Sequence, residues 1–336
     1  MIKGHGDDYQ GELEANFSSN VWYGAENTAL NQHLCVAIHK IKRYPEADAA
    51  SLKLALSEKN KIYSSQIIVC NGSTEGFYLI AQAYAGCKSM IVTPTFSEYA
   101  DACKMHLHKV SMTNRSALDQ EISIYQPDLI WICNPNNPDG YCFSSSFLQN
   151  LIAKHPYSVF IIDQAYADFT FEATLLANKV NNSANLILIQ SLTKRHAIPG
   201  LRLGYMMASE KLILKLKQFL IPWSVNTLAI EAGKFILESK YLEFSLTKWL
   251  DESKLLQLEI NNIGSFELIE SQTPYFLLKL KKGTAKELKA YLLEHKILIR
   301  DATNFEGLQG EYIRVCTQTS KQNDLLTSKL KEWTQI

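Results

Sequence analysis

Leu186-Ile187-Leu188-Ile189-Gln190-Ser191-Leu192-Thr193-Lys194 sets four consecutive apolar residues ahead of a cluster of hydroxyls and a lysine. An uninterrupted apolar run of that length reads as a strand covered on both faces, as in a parallel sheet sandwiched by helices. Upstream, Val159-Phe160-Ile161-Ile162, Leu129-Ile130-Trp131-Ile132, Met90-Ile91-Val92 and Gln66-Ile67-Ile68-Val69-Cys70 have the same character. Each stops at a polar or turn-forming residue: Asp163, Asn134-Pro135, Thr93-Pro94 and Asn71-Gly72. Helical spacing fills two of the intervals, Thr74 to Tyr84 and Ser144 to Lys154, the latter with serines placed to cap it. Alternating strands and helices predict an α/β fold with a large, doubly wound, mostly parallel sheet.

After about Phe219 the pattern changes. Ile221-Pro222-Trp223 breaks the chain, and one long amphipathic stretch is expected from Asn226 to about Asn262. Then come a strand at Tyr275 to Leu280, a helix near Ala285 to His295, strands at Ile297-Leu298-Ile299 and Tyr312-Ile313-Arg314-Val315, and a last helix from Ser320 to Trp333. That mixture reads as a smaller α+β domain. The expected division is 1–40, an N-terminal segment without clear periodicity that packs on both parts, 41–225, a large domain, and 226–336, a small C-terminal one. A chain of 336 residues suits two domains better than one core.

Composition excludes several classes of function. Lys and Arg total 34, as do Asp and Glu, so no basic surface for nucleic acid is expected. The apolar runs are too short to span a bilayer, and Met1 to Asp7 lacks the apolar segment of a signal peptide, so a cytoplasmic protein is expected. Seven cysteines without a Cys-x-x-Cys pair read as buried free thiols in a reducing compartment. His106-x-His108 has no further ligands beside it and reads as part of a surface strand, with no metal.

In open α/β sheets, ligands bind beyond the carboxyl ends of the strands. Four segments lie there. Asn71-Gly72-Ser73-Thr74-Glu75-Gly76 places hydroxyls and backbone N–H groups at a helix start, suited to an anion, though Ser-Thr is also an ordinary cap. Asn134-Pro135-Asn136-Asn137-Pro138-Asp139-Gly140 is a stiffened loop able to hold one amide toward a ligand, or a plain turn. Asp163, ending an apolar strand before Gln164-Ala165-Tyr166, needs a cationic partner, which a protonated pyridine or an ion pair would supply. Ser191 to Gly204 offers Lys194 as an amine and Arg202, eight positions on, as an anion clamp.

The stretch Ser191-Leu192-Thr193-Lys194-Arg195-His196-Ala197-Ile198-Pro199-Gly200-Leu201-Arg202-Leu203-Gly204 resembles, position by position, the cofactor-attachment pattern of class I/II aminotransferases, enzymes of fold type I that depend on pyridoxal 5'-phosphate (PLP). The other three segments resemble the family's remaining landmarks in the expected order. Arg43-Tyr44-Pro45-Glu46, Pro94-Thr95-Phe96, Ile299-Arg300-Asp301 and Tyr312-Ile313-Arg314 are similar to the branch holding histidinol-phosphate aminotransferase and threonine-phosphate decarboxylase. The resemblance implies that 41–225 is the PLP-binding domain. It makes Lys194 the Schiff-base lysine and proton shuttle, Asp163 the partner of the pyridine nitrogen, and Asn137 and Tyr166 donors to the ring's phenolic oxygen. It stacks Phe96 on the ring and gives the phosphate to Ser73, Thr74, Ser191, Thr193 and Arg202. Tyr44 is implied to reach the cofactor of a neighbouring subunit in a homodimer, and Arg314, Arg300 and Asn20 to face the substrate.

The chain departs from the pattern at Asp139, where the family usually has Thr, and at Gln164, where it usually has Glu. Neither position is expected to carry chemistry. Asn20-Val21-Trp22-Tyr23-Gly24 replaces a segment that usually borders the substrate, while His5-Gly6-Asp7 and Phe17-Ser18-Ser19-Asn20 resemble the decarboxylase more than the aminotransferase. The first expectation is an aminotransferase for a small, phosphate-bearing amino compound, with 2-oxoglutarate or a similar keto acid as partner substrate. The alternative is a decarboxylase on the same scaffold. A non-catalytic regulator of this family would carry a fused DNA-binding domain, for which the chain has no room.

Overall fold

The computed structural model describes residues 6–239 and 241–335. In chain order its strands are β1 (Ala15–Asn16), β2 (Ile67–Asn71), β3 (Lys88–Val92), β4 (Lys109–Thr113), β5 (Leu129–Cys133), β6 (Val159–Asp163), β7 (Leu186–Ser191), β8 (Leu203–Ala208), β9 (Phe266–Ile269), β10 (Tyr275–Leu280), β11 (Ile297–Leu298), β12 (Arg300–Asp301) and β13 (Tyr312–Cys316). Seven of them form one sheet in the order β2-β8-β7-β6-β5-β3-β4. Only β8 runs against the rest, pairing antiparallel with both β7 and β2. Burial explains why the central strands read as unbroken apolar runs. Ile67, Val69, Met90, Ile130 and Leu188 enter a core on one face; Ile68, Ile91, Trp131, Ile161 and Ile187 enter a second core on the other.

The second sheet has four antiparallel strands in the order β12-β13-β10-β9. Helices Leu246–Ile263, Ala285–Glu294 and Ser320–Trp333 supply Leu256, Leu288 and Leu326 to its core. The last two helices carry a capping box, Thr284 with Glu287 and Thr319 with Gln322, which fixes their starts. Before residue 41 the chain reaches the four-stranded sheet and the segment that follows β7. β1 pairs parallel with β11, Phe17 accepts from Cys316 N, and Trp22 N donates to the carbonyl of Lys194.

Several local expectations differ from the structure. The stretch from Asn226 to Asn262 is two helices, Thr227–Glu238 and Leu246–Ile263, because Ser239 leaves helical geometry (ψ 142°) and Ser245 caps a new start at Lys248 N. The first forty residues hold a helix, Thr28–Ala37, whose Leu30 packs with Ala232 and Ile236. His108 lies in no surface strand. It is buried, with Nδ1 2.8 Å from Ser89 Oγ and Nε2 2.8 Å from the Ala81 carbonyl. Among the described residues no three His, Cys, Asp or Glu side chains group as a metal site, and no helix is long and apolar enough to cross a membrane. All seven cysteines are free; five are buried, Cys87 is partly so, and Cys35 is exposed.

Candidate active site

A cavity of about 170 Å³ opens beyond the carboxyl ends of β2, β5, β6 and β7. Its wall includes Asn20, Ser73, Thr74, Phe96, Asn137, Asp163, Tyr166, Ser191, Thr193, Lys194, Arg202 and Arg314. The structure thus brings together twelve of the side chains singled out in the sequence. Two others stand apart. Arg300 lines a smaller adjoining cavity that shares Phe96, Asn137 and Arg314 with the first. Tyr44 is 86% exposed, with its ring 5.7 Å from that of Trp223, away from the cavity.

One end of the cavity is built for an anion. Helix Gly72–Ala83 presents its N-terminus there, with Ser73 and Thr74 in its first turn. Gly72 has φ +76°, and a Cβ there would lie 2.5 Å from Arg202 Nη2, so only glycine admits the guanidinium. Arg202 holds a positive φ of 55° and is braced by its Nη1 donating to Pro199 O at 3.0 Å. The hydroxyls of Ser191 and Thr193 lie 2.8 Å apart at the same end.

Asp163, also in the wall, closes β6. Burial pushes its carboxyl up to about 6, opposed by a hydrogen bond from Tyr99 Oη at 2.6 Å and another from Ala165 N at 2.9 Å. Lys194 lines the same cavity, its Nζ 5.8 Å from the centre of the Tyr166 ring. Burial, then the charges of Arg314 and Arg202, lower its ammonium to about 8. Burial also lifts the Tyr166 hydroxyl well above its ordinary value.

Arg314 lies inside β13, which runs on to Cys316. Its side chain is buried and donates to Asn137 Oδ1 at 2.5 Å and to the Ser18 carbonyl, while its Nε has no partner. The Asn20 amide is also buried at the cavity, with neither polar atom in a hydrogen bond within 3.5 Å. Polar groups left open in this way fit a ligand rich in hydrogen-bonding groups. The chemistry of the lining fits PLP: hydroxyls, a helix start and a guanidinium for an anion, a buried carboxylate, and an amine whose pKa is lowered, all around one cavity.

The sequence did not single out Tyr99, and it noted Gly6 and Ser18 only for their likeness to the decarboxylase, without a place in the site. Tyr99 is three residues after Phe96 at the start of helix Glu98–Met105, so helical spacing was its only signal. Gly6 and Ser18 reach the wall through the fold of the N-terminal segment; a Cβ on Gly6 would lie 2.3 Å from the Ser18 carbonyl. His5, noted beside them, lies outside the described residues.

Residues 12–330 match the family described as aminotransferase class I and II. The chain belongs to this family. Its members work with pyridoxal phosphate, and the fold is that of PLP enzymes of fold type I. A threonine-phosphate decarboxylase of Salmonella typhimurium is 30% identical over 94% of this chain and 90% of its own. A histidinol-phosphate aminotransferase of Thermoanaerobacter is 28% identical over 98% of this chain and 94% of its own. The crystal structure of L-threonine-O-3-phosphate decarboxylase from Porphyromonas gingivalis superposes with a TM-score of 0.93 at 38% identity, covering 96% of this chain and all of that one.

Proposed function

We propose that this family member removes the carboxylate of a small phosphorylated amino acid of the O-phosphothreonine type. One observation carries the reading. The two N-terminal segments that resemble the decarboxylase, Gly6-Asp7 and Phe17 to Asn20, meet at the cavity wall beside Arg314. Asp7 N donates to Ser18 Oγ at 2.8 Å, and the Ser18 carbonyl accepts from Arg314. The likeness to the Porphyromonas decarboxylase over nearly the whole chain supports the same reading.

Ser73, Thr74, Ser191, Thr193 and Arg202 would hold the PLP phosphate, Asp163 the pyridine nitrogen, Asn137 and Tyr166 the phenolic oxygen, and Phe96 one face of the ring. When bound, PLP supplies an electron sink for the pair left when a bond to the amino carbon breaks. Lys194 supplies the amine that holds the cofactor, and near pH 8 it has both a free and a protonated form. Arg314 and Arg300 bind the substrate's two anionic groups. Their fixed positions would orient the substrate's carboxylate for loss. After carbon dioxide leaves, the Lys194 ammonium gives a proton to the amino carbon, and the product is the amine with one carbon fewer. Across the assembly, Tyr44 serves the cofactor site of a second copy in a homodimer.

The aminotransferase put first on sequence stands as the second reading, supported by the 28% identity to a histidinol-phosphate aminotransferase. In that case the Lys194 amine would take the proton from the amino carbon instead of giving one to it after carbon dioxide leaves, and a keto acid would complete the exchange. Product analysis separates the two. Purified protein with O-phosphothreonine should release carbon dioxide without any keto acid. Amine transfer from histidinol phosphate that requires 2-oxoglutarate, with no carbon dioxide release, overturns the decarboxylase. Borohydride treatment should fix cofactor mass on the peptide containing Lys194 and on no other.

A further inference from the structure

Asp139 is a buried carboxylate in the loop that carries Asn137, at a position where the family usually has Thr and which was not expected to carry chemistry. It is 2% exposed. Its Oδ2 pairs with Arg115 Nη2 at 2.8 Å, and its Oδ1 accepts from Asn136 Nδ2 at 2.7 Å and Tyr141 N at 3.2 Å. Arg115 comes from the turn after β4 and lies over the Tyr141 ring, 4.1 Å from its centre. Neither Arg115 nor Asp139 lines the cavity.

Through Asn136 the pair reaches two groups that do. The Asn136 amide donates to Asp139 and to the Pro94 carbonyl, and its oxygen accepts from Thr95 Oγ1 at 2.9 Å. Both donors and the acceptor are used, so the amide has one orientation only. Pro94-Thr95 leads directly into Phe96, and Asn136 directly precedes Asn137; both of these line the cavity. The Asn136 carbonyl also accepts from Tyr275 Oη at 3.0 Å, which ties the loop to the start of β10 in the other sheet.

We infer that Arg115 and Asp139 are positioning residues that lock Phe96 and Asn137 into one mutual geometry for the cofactor ring. The physical basis is the asymmetry of an ion pair with one buried partner: the Asp139 side chain is buried, while that of Arg115 is about a third exposed. Removing the cation leaves an uncompensated carboxylate that must find water or a proton, which disturbs the loop it is bonded into. Replacing both partners by neutral groups removes that demand. This inference rests on the assignment of the cavity to PLP and is independent of which reaction follows.

The test uses Arg115→Met, Asp139→Thr and the double variant, with Arg115→Lys as a milder change that keeps the charge. The threonine hydroxyl can still accept from Asn136. PLP affinity of the cofactor-free protein is measured at low temperature by quenching of tryptophan fluorescence, together with the absorption maximum of the bound cofactor, on samples whose folded content is checked by circular dichroism. Arg115→Met should weaken PLP binding about tenfold and shift the absorption maximum. The double variant should recover most of that loss. Arg115→Lys should fall between Arg115→Met and the unaltered protein, and it carries the test if Arg115→Met does not fold. PLP affinity and absorption unchanged in whichever folded Arg115 variant is measured overturn the inference. So does a double variant as impaired as Arg115→Met alone. Failure of the decarboxylase reading would leave these binding results untouched.

Discussion

The Tyr99 hydroxyl donates to Asp163 Oδ2 at 2.6 Å, in a pocket where both groups are buried and the Tyr99 ring stacks 5.7 Å from Trp131. Asp163 also accepts from the backbone N–H of Ala165, and the Lys194 charge acts in the same direction. Tyr99→Phe therefore removes the largest of the groups that keep this carboxylate ionised, and the Asp163 carboxyl should rise further from about 6. A lost hydrogen bond to a buried charged group costs about 1–3 kcal/mol. Turnover should fall roughly ten- to hundredfold at neutral pH, with the acid limb of the pH–rate profile moved upward. An acid limb that stays in place shows that Tyr99 does not tune Asp163.

The cofactor-free protein should show two opposite pH slopes in its stability. Asp163 titrates near 6 in the folded chain against an ordinary value of 3.8. Between those values the folded state keeps a proton that the unfolded state releases, so stability falls as pH rises through that window. Lys194 titrates near 8 when folded against 10.5 ordinarily. Between those values the unfolded state holds the extra proton, so stability rises with pH. Asp163→Asn should flatten the first slope and Lys194→Met the second, read as differences in Tm from the unaltered protein. Differences that do not vary with pH would mean the two groups are not perturbed as described.

Arg314 and Arg300 face adjoining cavities, and among the described residues neither has a carboxylate within 4.0 Å in an ion pair. Arg300 instead donates to the Asp301 carbonyl and to Asn304 Oδ1, and burial followed by the Arg314 charge lowers it to about 10. Two buried cations that, among the described residues, make no ion pair with a carboxylate suit a doubly anionic substrate. Arg314→Ala should raise KM about tenfold or more for every substrate, with cofactor absorption retained. Arg300→Ala should raise it mainly for phosphorylated substrates. Equal kinetics for phosphorylated and plain amino acids in both variants would place the anion clamp elsewhere.

Tyr44, far from its own protomer's cavity and widely exposed, is proposed to act across a homodimer. Lys194→Ala and Tyr44→Ala should each be strongly impaired alone. Mixed and reassembled, half of the dimers are hybrids in which the Lys194-bearing site meets an intact Tyr44, so about a quarter of full activity should return in a closed twofold assembly. Activity that never exceeds the sum of the separate variants argues against a shared site. Light scattering alongside the assay should find the dimer at catalytic concentration.

Residues close in sequence were readable without the fold. Strand β7 and the polar run after it are contiguous, so an apolar run stopping at hydroxyls and a lysine announced both the sheet and one edge of its site. The same held for Asp163 after β6 and for Ser73 and Thr74 at a helix start, because a strand's end and the ligand side of a parallel sheet coincide. The fold alone decided what those edges face. Tyr99 meets Asp163 across 64 positions, Arg314 meets Ser18 across 296, and Asp139 finds its counter-charge in Arg115 from another turn. Local spacing carries no record of such pairings, since they depend on how two sheets and an N-terminal segment pack together. The gap between helices Thr227–Glu238 and Leu246–Ile263 was hidden for a similar reason: the residues on either side keep an apolar face, and only their packing shows that the faces belong to separate elements. Sequence determined the chemistry available at each strand end, and tertiary structure decided which of those groups act on one another, because charge and hydrogen-bond partners are set by distance in space.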